Sequence, residues 1–231
     1  MSHVVEAARP ACASEPDLGA LPLGELARTY PQALGLLRRE RLDYCCGGAR
    51  TLRDAAAERG LDLERLQREI GALLPQPDEA PTRPAELTEY IRRRFHDTHR
   101  AELPELVKLA HKVERVHHDH PQVPAGLGDL LERTLRELSE HMDKEELILF
   151  PMMQRAAAGM GLGAPIARMR AEHDDHGQLL AQLRRLGHEG VAPEGACNSW
   201  RALVAGVSKF GDDLIQHIHL ENNVLFPAFE P

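Results

Sequence analysis

The feature that most limits what this chain can fold into is an eleven-residue stretch that occurs twice. His141-Met142-Asp143-Lys144-Glu145-Glu146-Leu147-Ile148-Leu149-Phe150-Pro151 returns as His217-Ile218-His219-Leu220-Glu221-Asn222-Asn223-Val224-Leu225-Phe226-Pro227, with His, Glu, Leu, Phe and Pro at the same offsets. On a helix, four residues separate two side chains by about 6 Å along one face, so each His and its Glu point into the same space. Read backward at helical spacing, the first copy runs Leu131, Leu135, Leu138, His141, Glu145, Leu149, and the second Leu203, Val207, Phe210, Leu214, His217, Glu221, Leu225. Each pair therefore sits in the middle of an apolar stripe that faces a core. An imidazole and a carboxylate withdrawn from water are costly unless paired or bound to a metal. A lone pair of this kind reads first as a satisfied hydrogen bond, but two copies in register favour a metal.

The repeat extends upstream. His96-Asp97-Thr98-His99 precedes the first copy and His173-Asp174-Asp175-His176 the second, 45 positions separating His96 from His141 and 44 separating His173 from His217. A His-bearing helix, a connection and a His-x-x-x-Glu helix, present twice and closing on its twin, predicts an all-α fold, a four-helix bundle with a pseudo-twofold centre. Helical phase places His99 and His176 nearer the middle of their apolar faces than His96 and His173, with Pro104 expected to disturb the phase around the first pair. Taking one His from each helix, His96, His141, His173 and His217 with Glu145 and Glu221 are too many donors for one tetrahedral zinc. They suit two ions about 3.5 to 4 Å apart with both carboxylates bridging. Mixed nitrogen and oxygen donors with open positions point to non-haem iron, with manganese second, completed by an oxo or hydroxo bridge and open to a small diatomic ligand.

Upstream of the bundle, residues 1 to about 20 lack periodicity and read as a loose arm. Residues 21–75 read as a small helical domain, with Pro31 expected to split its first helical stretch, and the prolines between 76 and 84 read as a linker to a bundle over 85–231. In the small domain, Asp43-Tyr44-Cys45-Cys46-Gly47-Gly48 precedes Thr51-Leu52-Arg53-Asp54, a helix start, so two thiols stand close to a helix N-terminus and Arg50. That setting fits reactive or metal-binding thiolates as well as two half-buried turn cysteines. His117, in His117-His118-Asp119-His120-Pro121, reads as part of a solvated turn, and Cys12 and Cys197 as inert. Pro165 is expected to open the third bundle helix, and Asn198 or Ser199 to cap the fourth. A net charge of −8 argues against a general nucleic-acid binder or an anionic membrane surface. Neither a secretory leader nor an apolar run long enough for a membrane span is apparent, and the scattered cysteines do not form a disulfide framework, so the expected compartment is the cytoplasm.

The helix pairs ending in His-x-x-x-Glu-x-x-x-Leu-Phe-Pro, together with Leu42-Asp43-Tyr44-Cys45-Cys46-Gly47-Gly48 and Lys112-Val113-Glu114-Arg115-Val116-His117, resemble the di-iron iron–sulfur-cluster repair proteins, also called the repair-of-iron-centres family. The resemblance covers nearly the whole chain from about Leu21 and implies a hemerythrin-like four-helix bundle behind the small Cys-Cys domain. It implies His96 and His173, rather than His99 and His176, as iron ligands beside His141, Glu145, His217 and Glu221, and gives Cys45 and Cys46 a thiol-relay role. The function implied is a cytoplasmic stress protein that restores clusters damaged by nitric oxide or oxidants, with damaged iron–sulfur proteins as partners and iron as the donated species. Its alternatives are a nitric oxide reductase or peroxidase, and an oxygen-binding or sensing module, using the same centre. A homodimer stays open beside a monomer.

Overall fold

The computed structural model describes residues 17–30, 33–45, 47–71, 80–81, 83–155 and 162–230. The arm up to residue 16 (with Cys12), Pro31, Cys46 and most of the Pro-rich linker lie outside the described residues.

Residues 17–71 form a cluster of short helices, α1 (Leu23–Thr29), α2 (Leu34–Arg39), α3 (Leu52–Glu58) and α4 (Leu63–Gly71). Helices this short are marginal alone, and packing supplies their stability. Leu23, Leu26, Leu37, Tyr44, Leu52, Leu66 and Ile70 are fully buried between them. The start of α3 is the one its sequence predicts: the Thr51 hydroxyl accepts the Asp54 N–H at 3.1 Å.

The bundle follows as four rods. The first joins α5 (Pro84–Ile91) to α6 (Asp97–Val116) through a wide π turn at Arg92–His96. The second joins α7 (Leu127–Lys144) to α8 (Phe150–Arg155) through a second at Glu145–Leu149. The third is α9 (Gly163–Leu186), and the fourth is α10 (Asn198–Leu220), prolonged by a third π turn at Glu221–Leu225. α6 packs on α7 and α10, and α9 on the same two, which closes the ring. Two sequence details shift. α9 begins at Gly163, so Pro165 lies two residues inside it, and Cys197, not Asn198 or Ser199, precedes α10 without a side-chain cap.

In the two repeated copies the wide turn has a local cause. Each is followed by Phe-Pro, and a proline lacks the N–H for the usual bond four residues back and crowds that carbonyl. The Phe150 amide reaches back five residues to the Glu145 carbonyl, and Phe226 likewise to Glu221. Pro151 thereby stays inside a helix that continues to Arg155. Pro104 also lies within an uninterrupted α6.

Two apolar clusters bracket the middle of the bundle. One, with Leu87, Ile91, Phe95, Phe150, Ile166, Leu225 and Phe226, closes one end. The other runs from Leu103, Leu131, Leu183, Leu203 and Phe210 into the core of residues 17–71. Between them lies a layer of buried histidines and carboxylates. No helix among the described residues is long and apolar enough to cross a membrane.

Asp213 ties the first rod to the fourth. Its carboxylate accepts from Arg94 Nη2 at 2.8 Å and from Lys209 Nζ at 2.8 Å, with its side chain only 9% exposed. Burial opposes its ionisation, but the bonds from Arg94 and Lys209 outweigh it and hold the pKa below the ordinary value. A depressed folded pKa gives stability that is full above the unfolded value near 4 and lost as pH falls through the folded one. Asp213→Asn is therefore expected to cost about 1–3 kcal/mol at neutral pH and to flatten the acid limb of the unfolding curve, read by denaturant titration across pH.

Candidate metal centre

Six side chains converge in the layer between the two apolar clusters. Single donor atoms of His96, Glu145, His217 and Glu221 lie within 4.8 Å of one another, as do those of His141, Glu145, His173 and Glu221. All six residues are at most 1% exposed. The carboxylates belong to both groups and the imidazoles divide two and two. Across the pocket, His96 Nε2 faces His217 Nε2 at 3.0 Å, and His173 Nε2 faces His141 Nε2 at 3.1 Å.

The outer nitrogens fix which way the rings present their lone pairs. His96 Nδ1 meets Glu146 Oε1 at 2.7 Å, His141 Nδ1 meets Glu172 Oε2 at 3.0 Å, and His173 Nδ1 meets Asn222 Oδ1 at 2.9 Å. Each Nδ1 faces an acceptor and so carries its proton, which leaves Nε2 of the neutral ring as a lone pair aimed inward. These acceptors are themselves held. Arg100 donates to Glu146 at 2.6 Å, Lys144 and Arg168 each donate to Glu172 at 2.8 Å, the Asn222 side-chain Nδ2 donates to the Cys45 carbonyl at 3.4 Å, and Arg170 Nη2 donates to the Asn222 backbone carbonyl at 3.1 Å. Aromatic rings wall the site: Phe95 stacks on His217, Phe150 on His96 and Phe226 on His173, at centroid distances of 5.5, 5.9 and 5.8 Å.

Inside this wall the carboxylate oxygens are left unsatisfied among the described residues. Neither oxygen of Glu145 nor of Glu221 has an aligned hydrogen-bond donor, although His217 and His173 nitrogens stand 3.2 and 3.1 Å from Glu221. Burial, then the neighbouring Glu221 charge, pushes the Glu145 pKa up. Burial acts on Glu221 in the same sense, but His217 and His173 hold it well below the ordinary carboxylate value. For His141 burial disfavours the proton, yet Glu145 and Glu172 overcome it and raise the pKa to about 10, while burial and His217 press His96 down to about 2. The nitrogens of each facing pair, 3.0 and 3.1 Å apart, are close enough for one cation to be held by both. The Nε2 spacing, the inward lone pairs and the orphaned carboxylates together fit bound metal cations. Ions bound there would displace the protons.

The remaining sequence candidates fall elsewhere. His99 and His176 are buried one turn along, against His217 and His141 at ring distances of 5.5 and 4.8 Å, and burial presses both down to about 3, so they are neutral. Neither is in the converging groups. His117 is not simply solvated: it packs on Trp200 at 5.1 Å with Nε2 3.2 Å from Cys197 Sγ, at the other end of α10. Cys45 is buried, its Sγ 3.1 Å from Asp43 Oδ1. Its carbonyl accepts from Asn222 Nδ2 at 3.4 Å, and the Tyr44 carbonyl from Asn223 Nδ2 at 3.2 Å. Cβ atoms built on Gly24 and Gly48 would lie 2.7 and 3.3 Å from Asn223 Oδ1, so this approach needs glycine. The small domain therefore rests on the two residues that follow Glu221. The sequence did not single out Glu146, Glu172 or Asn222. The signal was available in the repeat, since Glu146 and Asn222 occupy the same place after their respective Glu.

Residues 86–229 match the hemerythrin HHE cation binding domain, and residues 20–74 match a domain of unknown function, DUF542. The iron–sulfur cluster repair protein YtfE of Dickeya chrysanthemi (strain Ech1591) is 51% identical, over 89% of this chain and 94% of its own length. The proteins of that name from Pectobacterium carotovorum subsp. carotovorum (strain PC1) and Citrobacter koseri are 49% and 48% identical, with the same coverage of both chains. An all-α cation-binding bundle behind a small helical domain, alike in sequence over most of its length, places the chain in the family of the YtfE iron–sulfur cluster repair proteins.

Proposed function

We propose that this chain repairs damaged iron–sulfur clusters, supplying iron from a centre of two non-haem ions held by His96, His141, His173 and His217 and bridged by Glu145 and Glu221. The reading also takes residues 21–75 as a thiol domain and 85–231 as the metal-holding domain. The observation that carries it is the pair of donor groups sharing two buried carboxylates that no protein donor satisfies. The names of the YtfE relatives support the repair function. Iron bound there supplies a redox-capable cation whose nitrogen and oxygen donors permit exchange. The chain's own residues do the rest. Glu146, Glu172 and Asn222 orient three of the imidazoles, and Phe95, Phe150 and Phe226 exclude water. The Cys45 backbone carbonyl stands two hydrogen bonds from His173, through Asn222, which sets the residue assigned to the thiol relay beside the centre.

The test is iron content of full-length protein purified without chelator, combined with reactivation of a nitric-oxide-damaged cluster enzyme. Two irons per chain and iron-dependent reactivation are expected, with Cys45→Ser plus Cys46→Ser keeping the iron but slowing reactivation. Equal reactivation by the iron-free chain would remove the reading, and equal reactivation by the thiol variant would remove the relay. Many turnovers of nitric oxide per centre, with no loss of iron, would favour a reductase instead.

A further inference from the structure

The two halves of the centre are related by the repeat, and the residues that steady the imidazoles can be compared position by position. Glu146 follows Glu145 and holds His96, and Asn222 follows Glu221 and holds His173. Glu172 precedes His173 and holds His141 of the other half. Symmetry would have the residue before His96 hold His217 in the same way. That residue is Phe95, whose ring lies parallel to His217, 5° between planes. The His217 N–H edge lies in a plane parallel to the Phe95 face and so does not point at it. Among the described residues His217 Nδ1 is buried with no hydrogen-bond partner, and the neighbouring His99 ring offers none through either nitrogen.

We propose that the two cation positions are unequal by construction, and that the one between His96 and His217 is the exchangeable position from which an ion is given up, while the one between His141 and His173 retains its ion. This rests on the two-iron reading above. The physical reason is that a ligand imidazole whose outer N–H is taken by an acceptor is a stronger donor and is fixed in tautomer and orientation, and removing such an acceptor weakens metal binding about 10- to 100-fold. The His141–His173 position has a carboxylate and an amide in this role, both themselves held. The His96–His217 position has one carboxylate, Glu146. The bridging carboxylates are common to both and cannot separate them. Asn222 also bonds the Cys45 carbonyl, so the retained position is the one braced against the thiol domain.

The experiment loads full-length protein with ferrous iron under anaerobic conditions, adds excess of a colorimetric ferrous chelator and follows release. Two phases of one iron per chain each are expected, separated by about 10-fold or more. His217→Ala should abolish the fast phase and leave the slow one. Glu172→Gln, which weakens the brace on His141, should speed the slow phase toward the fast one with the fast phase unchanged. Because a carboxylate at position 95 could prevent folding, Phe95→Gln is the gain-of-brace variant, expected to slow only the fast phase. Two irons leaving in a single phase, or His217→Ala abolishing the slow phase, would overturn the inference while leaving the two-iron reading intact. A chain that takes up fewer than two irons would overturn both.

Discussion

Replacing both Glu145 and Glu221 by glutamine is expected to abolish metal binding and yet leave the metal-free chain no less stable than metal-free wild type. The two carboxylates are fully buried, and none of their four oxygens has an aligned donor. Metal affinity at such a site depends on charged oxygen donors, and glutamine offers none. Stability runs the other way. An ionised carboxylate taken out of water carries a desolvation penalty of several kcal/mol, and an uncharged glutamine of nearly the same volume carries a smaller one. Loss of the metal removes a separate contribution, about 4 kcal/mol where free metal stands at a thousand times the dissociation constant. Melting curves of both proteins with and without chelator, beside metal analysis, separate the two effects. A metal-free variant that melts well below metal-free wild type would show that the carboxylates hold the fold.

The second large effect lies at the far end of the bundle. Trp200 is 1% exposed, and its indole packs against His117, His120 and His188 at 5.1, 5.0 and 6.0 Å, joining the connections after α6 and α9. Truncating a buried residue of this size costs about 3–5 kcal/mol, so Trp200→Ala is expected to lower the melting temperature by on the order of 10 °C. Trp200 stands seventeen residues before His217, about 25 Å along α10, so the metal content of the folded variant should stay that of wild type. Trp200→Phe should cost far less, since most of the volume stays and the indole N–H, which is buried without a partner, is removed. Metal loss in Trp200→Ala in proportion to its destabilisation would mean that the two ends unfold as one unit.

Much of this was legible because a bundle announces itself through 3.6-residue periodicity, and a repeated His-x-x-x-Glu fixes two rods and their register. Less legible was which histidine of each upstream pair meets the carboxylates. Periodicity reports burial, and His96, His99, His173 and His176 are all buried, so it could not choose among them. The phase around His96 is further disturbed by the π turn at Arg92–His96, where more residues are used per turn, and not by Pro104, which α6 accommodates. The family resemblance implies His96 and His173, and it is the donor atoms of those two that lie in the converging groups. The acceptors behind the imidazoles were harder still. Glu172 looks like part of a solvated charged face, and Glu146 and Asn222 follow a ligand-type residue by one position, where a regular helix would turn them about 100° away.

The wide turns also separate what the two halves share from what they do not. Those at Glu145–Leu149 and Glu221–Leu225 occupy equivalent places in the two copies, whereas the one at Arg92–His96 has no counterpart at residues 169–173, where α9 is regular. The two halves are therefore matched in their His-x-x-x-Glu helices and unmatched upstream, His96 being presented from the end of a widened turn and His173 from a regular helix.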